Sequence, residues 1–276
     1  MINKISGIKS FISAVVHNKL KPNTQTLLKE AAKDTFVNTK ENIKTFVLTH
    51  LEYKTAKPYQ LTVTQNPADK AILYRKVYDM QTKKTKKIPE EISIAQSKNK
   101  WMTTYHFLEP ETNKEIGFVT ICDWQLAKKY PQITRLCFSE RNLLKNYPKL
   151  GIRGKRITID YLQNNFPEKY SGIGKAADQI AIEYCLKTGI KPVITSIADL
   201  NSHAAHYLRG RRFFTDKKLI SQFGTSDPNE IIRQRIKETP TGEHVCCSDL
   251  GMLDMYMPQS VVKKYLNKIK NHPILH

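Results

Sequence analysis

Residues 169–177 read Lys169-Tyr170-Ser171-Gly172-Ile173-Gly174-Lys175-Ala176-Ala177 and connect a predicted buried strand to a predicted helix. Glycines at positions 172 and 174 let the backbone turn tightly and approach a ligand without interference from a Cβ. The first turn of the helix has free N–H groups and a positive dipole end, which together bind phosphate oxygens. The stretch therefore predicts a phosphate cradle, although the same glycines would also suit a plain strand–turn–helix that only packs tightly.

The glycine pattern matches neither of the two common phosphate fingerprints. No Gly-Lys-Ser/Thr follows, as a P-loop requires, and a third glycine of the dinucleotide-binding pattern is missing. The neighbouring segments define the fold class. A buried strand is predicted over residues 156–162, a long helix over 172–188 that ends at Gly189, and a second buried strand over 192–197.

An antiparallel hairpin is predicted ahead of this unit, from strands over residues 101–108 and 116–122 joined by a short polar turn. The order predicts an α/β fold with a mixed β-sheet flanked by helices. Further elements are predicted along the chain: a strand at 71–80, helices at 139–146, 201–209, 228–237 and 261–269, and strands at 212–214 and 252–257.

The first 66 residues are predicted to form a helical extension, and residues 67–276 the main domain. Ile43, Phe46, Val47 and Leu51 recur at a spacing typical of a helix. Pro58 and the Asn66-Pro67 pair interrupt the pattern.

The composition predicts a cytoplasmic protein without a membrane span, because no apolar run approaches about 18 residues. The 5 cysteines lack CxxC spacing, which favours a reducing compartment over disulfides. The run His244-Val245-Cys246-Cys247 is a weak zinc candidate, since adjacent cysteines rarely both reach one ion, and we expect no metal. His203 and His206 are expected to pack or face solvent.

The formal net charge of +20 at pH 7 favours an anionic partner. Nucleic acid is one such partner, but no zinc-finger, RRM or KH signature accompanies the charge. The tight cluster of Lys83, Lys84, Lys86 and Lys87 is interpreted as a hairpin turn.

Two segments together resemble the GNAT N-acetyltransferase superfamily. The family's first motif is Arg or Gln, two residues, Gly, one residue, then Gly or Ala; here Lys169 replaces the Arg or Gln, and Gly172 and Gly174 match. Its second motif, Asn-x-x-Ala-x-x-Leu-Tyr followed by Gly-Phe, is similar to the run from Asn201 to Phe213. The resemblance covers roughly residues 70 to 260 and is firmest over 155–214.

This resemblance implies an acetyl-CoA-dependent transfer of an acetyl group to a primary amine, without a metal. The strand end at residues 160–162 would part from its neighbour and offer backbone groups to the pantetheine arm. The implied cofactor-binding residues are Tyr161, Leu162, Lys169, Tyr170, Ser171, Gly172, Ile173, Gly174, Lys175 and Asn201.

The resemblance also implies an acid and a base. The position of the family's acid tyrosine is occupied by Leu208, so the neighbouring Tyr207 is the candidate acid. Asp160 is the first candidate base, followed by Glu115 and Asp123. Arg212 stands where the family has glycine. These departures keep two alternatives open: a CoA-binding module without catalysis, and a basic protein associated with nucleic acid.

Overall fold

A computed structural model describes residues 43–51, 58–127, 156–199 and 201–276. The strands in these residues are β1 Lys44–Leu51, β2 Pro58–Asp79, β3 Lys84–Asn99, β4 Met102–Leu108, β5 Glu115–Asp123, β6 Ile157–Asn164, β7 Tyr170–Ser171, β8 Ile194–Ala198, β9 Arg212–Phe213 and β10 Leu253–Tyr256. The α-helices are α1 Trp124–Ala127, α2 Ile173–Thr188, α3 His203–Leu208, α4 Ile220–Phe223, α5 Pro228–Glu238 and α6 Gln259–Asn271.

The strands form one mixed sheet in the order β1-β2-β3-β4-β5-β6-β8-β10-β9, and β7 pairs with β2. Neighbouring strands are antiparallel, with the exception of β6 and β8, which are parallel and are connected through α2. A parallel pair needs such a crossover, because a short turn cannot return the chain to the same starting edge.

The main core lies between one face of the sheet and helices α2 and α6. Phe107 and Val119 from the sheet meet Ile180 of α2 and Leu266 of α6, all of them 1 % exposed or less. A second apolar cluster joins α3 and α5 to β9 and β10. Within the described residues, no helix is both long and apolar enough to cross a membrane.

The α/β fold class predicted from the sequence is confirmed in its general form. The predicted hairpin is present as β4 and β5, and the predicted long helix is α2, which ends at Gly189 with a φ of 75°. The lysine cluster does lie at the β2–β3 hairpin, where Lys83 has a φ of 49°. Strand β3 follows this turn and was not predicted.

The helix predicted over Ile43 to Leu51 is wrong, because this segment is strand β1. The apolar residues of this segment fit the period of a helix as well as that of a strand. In the structure Leu48 and His50 are buried while Val47 and Thr49 are exposed, which is the alternation of a strand. Strand β2 also runs through the predicted domain boundary at residue 66. The helices predicted over residues 1–42 and 139–146 lie outside the described residues.

Helix starts were predicted with mixed success. The sequence predicts Asp227 or Ser226 as the cap of α5 and Asn201 as the cap of α3. Asp227 does cap α5, and its side chain accepts a hydrogen bond from the Asn229 N–H. Asn201 does not cap α3; it lies in the preceding turn, and Ser202 occupies the N-cap position. The error is one residue, because the turn at 201–202 must close before the helix begins.

The last residues of the chain are held by a buried carboxylate. Glu183 of α2, 1 % exposed, accepts hydrogen bonds from the backbone N–H groups of Ile274 and Leu275. Gln179, one turn earlier, donates to the same carboxylate. Burial raises the pKa of Glu183 to about 7, and these hydrogen bonds oppose the rise only in part.

Replacing Glu183 by glutamine should remove a pH dependence of stability. Between about pH 4.5 and 7 the unfolded chain has lost the Glu183 proton while the folded chain retains it, so the free energy of unfolding falls as the pH rises. This group alone should contribute a fall of about 3 kcal/mol. Urea unfolding at pH 4.5 and 7.5 measures it. The exposed Glu230→Gln is the control, and an equal fall in Glu183→Gln would contradict the assignment.

Candidate functional site

The two parallel strands β6 and β8 part after a short contact. In the described residues, their ladder joins Ile157 to Ile194, Thr158 to Thr195 and Ile159 to Ser196. Beyond this point β6 continues alongside β5, while β8 continues alongside β10. The region beyond the last pair, between the carboxyl ends of β6 and β8, is the candidate cleft.

Asp160 stands at the point where the strands part. Tyr161 pairs with Thr120 and Ile159 pairs with Ile121, so Asp160 is an extra residue in β6, a β-bulge, and it is exposed. Bulges bend a strand and redirect side chains. Tyr161 and Leu162 follow along the cleft edge and are half-buried.

Helix α2 begins at this same end of the sheet. In a strand–helix–strand crossover the N-terminus of the helix lies beside the carboxyl ends of the two strands. Gly172 precedes the helix with a φ of 104°, a conformation that other residues rarely adopt. Gly174 lies in the first turn, where an added Cβ would be 2.7 Å from Nη1 of Arg209. The glycine thus allows this guanidinium to approach the helix N-terminus.

Arg209 belongs to a buried ion network centred on Asp178 of α2. Arg211 Nη2 donates to Asp178 Oδ1 over 2.6 Å, and Arg209 Nε lies 3.4 Å from Asp178 Oδ2. The Asp178 and Arg211 side chains are each 1 % exposed. Arg211 Nη1 also donates to Ser196 of β8, and thereby links α2 to the strand across the cleft.

The network carries more positive than negative charge. Arg209 Nη2 donates to Nδ1 of His206 over 2.6 Å. Burial, followed by the charges of Arg209 and Arg211, lowers the pKa of His206 to about 2, so this imidazole is neutral. Two guanidinium groups thus share one carboxylate among these residues, beside the positive end of α2. The arrangement suits an anion.

Three residues of the predicted cradle are held by other parts of the protein. Tyr170 is buried and its hydroxyl donates to Glu109, while Lys169 Nζ lies 2.7 Å from the same carboxylate. The hydrogen bond from Lys169 is the main reason that the pKa of Glu109 falls to about 2. Ser171 pairs with Tyr74 of β2. Gly172, Ile173, Gly174 and Lys175 remain at the helix N-terminus.

The residues around α3 occupy distinct environments. Asn201 is exposed in the turn before the helix. The Tyr207 ring is half-buried, with the Arg212 guanidinium 4.4 Å above its centre. Leu208 is 69 % exposed. His203 is buried beside Phe213.

The candidate bases also differ. Asp123 is buried at the end of β5, where it accepts a hydrogen bond from the Tyr184 hydroxyl. Glu115 is buried between His50 and His106. Asp160 is the exposed carboxylate of the three.

Sequence reasoning missed the arginines that bring positive charge to the cleft. Arg209 and Arg211 flank Gly210, and this basic stretch within the run from Asn201 to Phe213 was an available signal. It also missed His50 and His106, which lie 56 residues apart in sequence and meet only through the sheet.

No family model matches the chain, and no curated protein matches it.

Replacing Asp178 by asparagine should destabilise the protein by about 3–5 kcal/mol. Removing one partner of a buried ion pair leaves the other charge uncompensated, here the guanidinium of Arg211. Urea unfolding at pH 7 measures the loss. The exposed Glu243→Gln should stay within about 0.5 kcal/mol of the unmodified protein. A similar free energy of unfolding for both variants would show that Asp178 does not hold the arginines.

Proposed function

We propose that the protein binds acetyl-CoA in the cleft between β6 and β8 and transfers the acetyl group to a primary amine. The observation that carries the proposal is the excess positive charge at the start of α2, where Arg209 and Arg211 share Asp178. A pyrophosphate would compensate this charge and accept hydrogen bonds from the first N–H groups of the helix.

The parting of the strands supports a site for the pantetheine arm. This arm is linear and carries amides, so it can pair with an exposed strand edge as an added strand does. Residues Asp160 to Leu162 of β6 lie beyond the last pair with β8 and are the proposed place for this arm. The phosphate site and the strand edge lie at one end of the same crossover.

The chemistry requires one bond to form and one to break. The amine nitrogen attacks the thioester carbonyl, the carbon–sulfur bond breaks, and the thiolate takes up a proton. Asp160, exposed at the bulge, is the proposed acceptor of the amine proton, directly or through water. The Tyr207 hydroxyl is the proposed donor to the thiolate.

One observation favours a second candidate, a CoA-binding module without catalysis. Leu208 is exposed at the position where the related motif has its acid tyrosine, and a leucine has no proton to give. The Tyr207 ring, in turn, packs under Arg212. Release of free thiol from acetyl-CoA with a panel of amines separates the two candidates.

Acetyl-CoA should bind and raise the melting temperature by about 5 °C at a concentration one hundredfold above its Kd. Arg209→Gln should weaken binding about 10- to 100-fold, because a charged hydrogen bond to phosphate is lost. Calorimetry measures the affinity, and thermal unfolding the shift. The exposed Lys217→Gln is the matched control. Pantetheine, which lacks the phosphates, should bind equally to both variants; undetectable acetyl-CoA binding to the unmodified protein would exclude the proposal.

Tyr207→Phe should lower kcat by about 100-fold, the size typical of a lost general acid, with little change in acetyl-CoA affinity. Phenylalanine keeps the ring that packs under Arg212, so the fold should be preserved. Thiol release at saturating acetyl-CoA measures kcat, and the exposed Tyr78→Phe serves as the control. Unchanged turnover would assign Tyr207 to packing alone.

A further inference from the structure

Two imidazoles and one carboxylate meet on the face of the sheet opposite α2. They belong to His50 of β1, His106 of β4 and Glu115 of β5, each 5 % exposed or less. Tyr105 and Phe107 point into the core under α2, so His106 between them points to the other face. Nothing in the proposed acetyl transfer uses these three residues.

The potential ligand atoms converge on one point. Glu115 Oε1 lies 2.9 Å from Nδ1 of His50 and 2.6 Å from Nδ1 of His106. All three ligand atoms lie within 4.8 Å of one another. A tetrahedral ion with bonds of about 2.0–2.1 Å separates its ligands by about 3.3 Å. The two distances from Oε1 would therefore lengthen by about 0.4 and 0.7 Å when an ion is bound.

The surroundings orient these groups as metal ligands are oriented. His106 Nε2 lies 2.9 Å from the Ser97 hydroxyl, so its second ring nitrogen is engaged and Nδ1 faces Glu115. Phe118 packs against the His50 ring, with 4.5 Å between ring centres. A polar partner on the far nitrogen and an apolar shell are typical of histidine ligands.

The charge states also suit a cation. His106 is neutral and presents Nδ1 as a ligand when its proton lies on Nε2, where the Ser97 hydroxyl can accept it. Glu115 is 5 % exposed. Metal ligands must be neutral imidazole and ionised carboxylate. A negative charge this deeply buried is best compensated by a cation.

We propose that His50 Nδ1, His106 Nδ1 and a carboxylate oxygen of Glu115 bind one divalent transition-metal ion of the zinc type. Two nitrogens and one oxygen suit Zn²⁺ or Fe²⁺ better than Mg²⁺ or Ca²⁺, which prefer all-oxygen sites. Three protein ligands leave a fourth position for water or another small ligand. The ion would fasten β1 to β4 and β5, and the site is independent of acetyl transfer.

The test uses the full chain after treatment with a chelator and dialysis. Titration with Zn²⁺ should show one ion per chain bound at this site and a higher melting temperature. Co²⁺ in place of Zn²⁺ should give the visible absorption of a nitrogen- and oxygen-ligated ion. A strong near-ultraviolet thiolate band would assign the ion to Cys246 or Cys247 and overturn the proposal. The absence of Zn²⁺ binding would also overturn it.

Variants locate the ion within the chain. Glu115→Gln keeps the side-chain shape and should weaken Zn²⁺ binding by at least about 100-fold, the upper end of the effect of losing an outer-shell partner. The exposed His244→Gln should bind as the unmodified protein does. Equal affinity in Glu115→Gln and the unmodified protein would overturn the proposal. If Glu115→Gln does not fold, the Zn²⁺ affinity of His50→Gln and the cobalt spectrum of the unmodified protein show whether the ion binds at this site.

Discussion

The early end of the ladder between β6 and β8 is the constraint on which the candidate cleft depends. After Ile159 and Ser196 the two strands follow different neighbours, and Asp160 forms a bulge in β6 at that point. Helix α2 starts at the same end, so a strand edge and a helix N-terminus face a common space.

The ion network around Asp178 gives this end of the protein a net positive charge. A single buried carboxylate cannot neutralise both Arg209 and Arg211, and the neutral His206 adds no negative charge. Arg209 and Arg211 share the one charge of Asp178, so an anion that enters the cleft would add a second negative charge beside them. The same residues thus link the stability of the α2–β8 contact to the proposed binding of phosphate.

The opposite face of the sheet holds a second polar centre with the reverse charge. Glu115 lies there between two imidazoles, enclosed by β1, β4 and β5. Strand β1 pairs with the part of β2 that precedes the register shift between β2 and β3 at Gln65 to Lys70. The sheet therefore separates a positively charged cleft from a buried site suited to a cation.

The sequence by itself determined the features that depend on near neighbours. Glycine conformation and helix periodicity are local properties. The turn at Gly172, the helix end at Gly189 and the span of α2 could therefore be predicted from the neighbouring residues. The β4–β5 hairpin followed from two β-rich runs and a short turn. The order of these segments was enough for the α/β class.

Only the tertiary structure decided the features that join distant segments. Residues 44–51 fit a helical spacing, yet the sheet selects a strand because pairing with β2 and burial of Leu48 and His50 outweigh local preference. Arg211 reaches Asp178 across 33 residues, and His50 reaches Glu115 across 65. Such contacts arise where strand register and helix docking bring side chains together, and no local pattern encodes that distance.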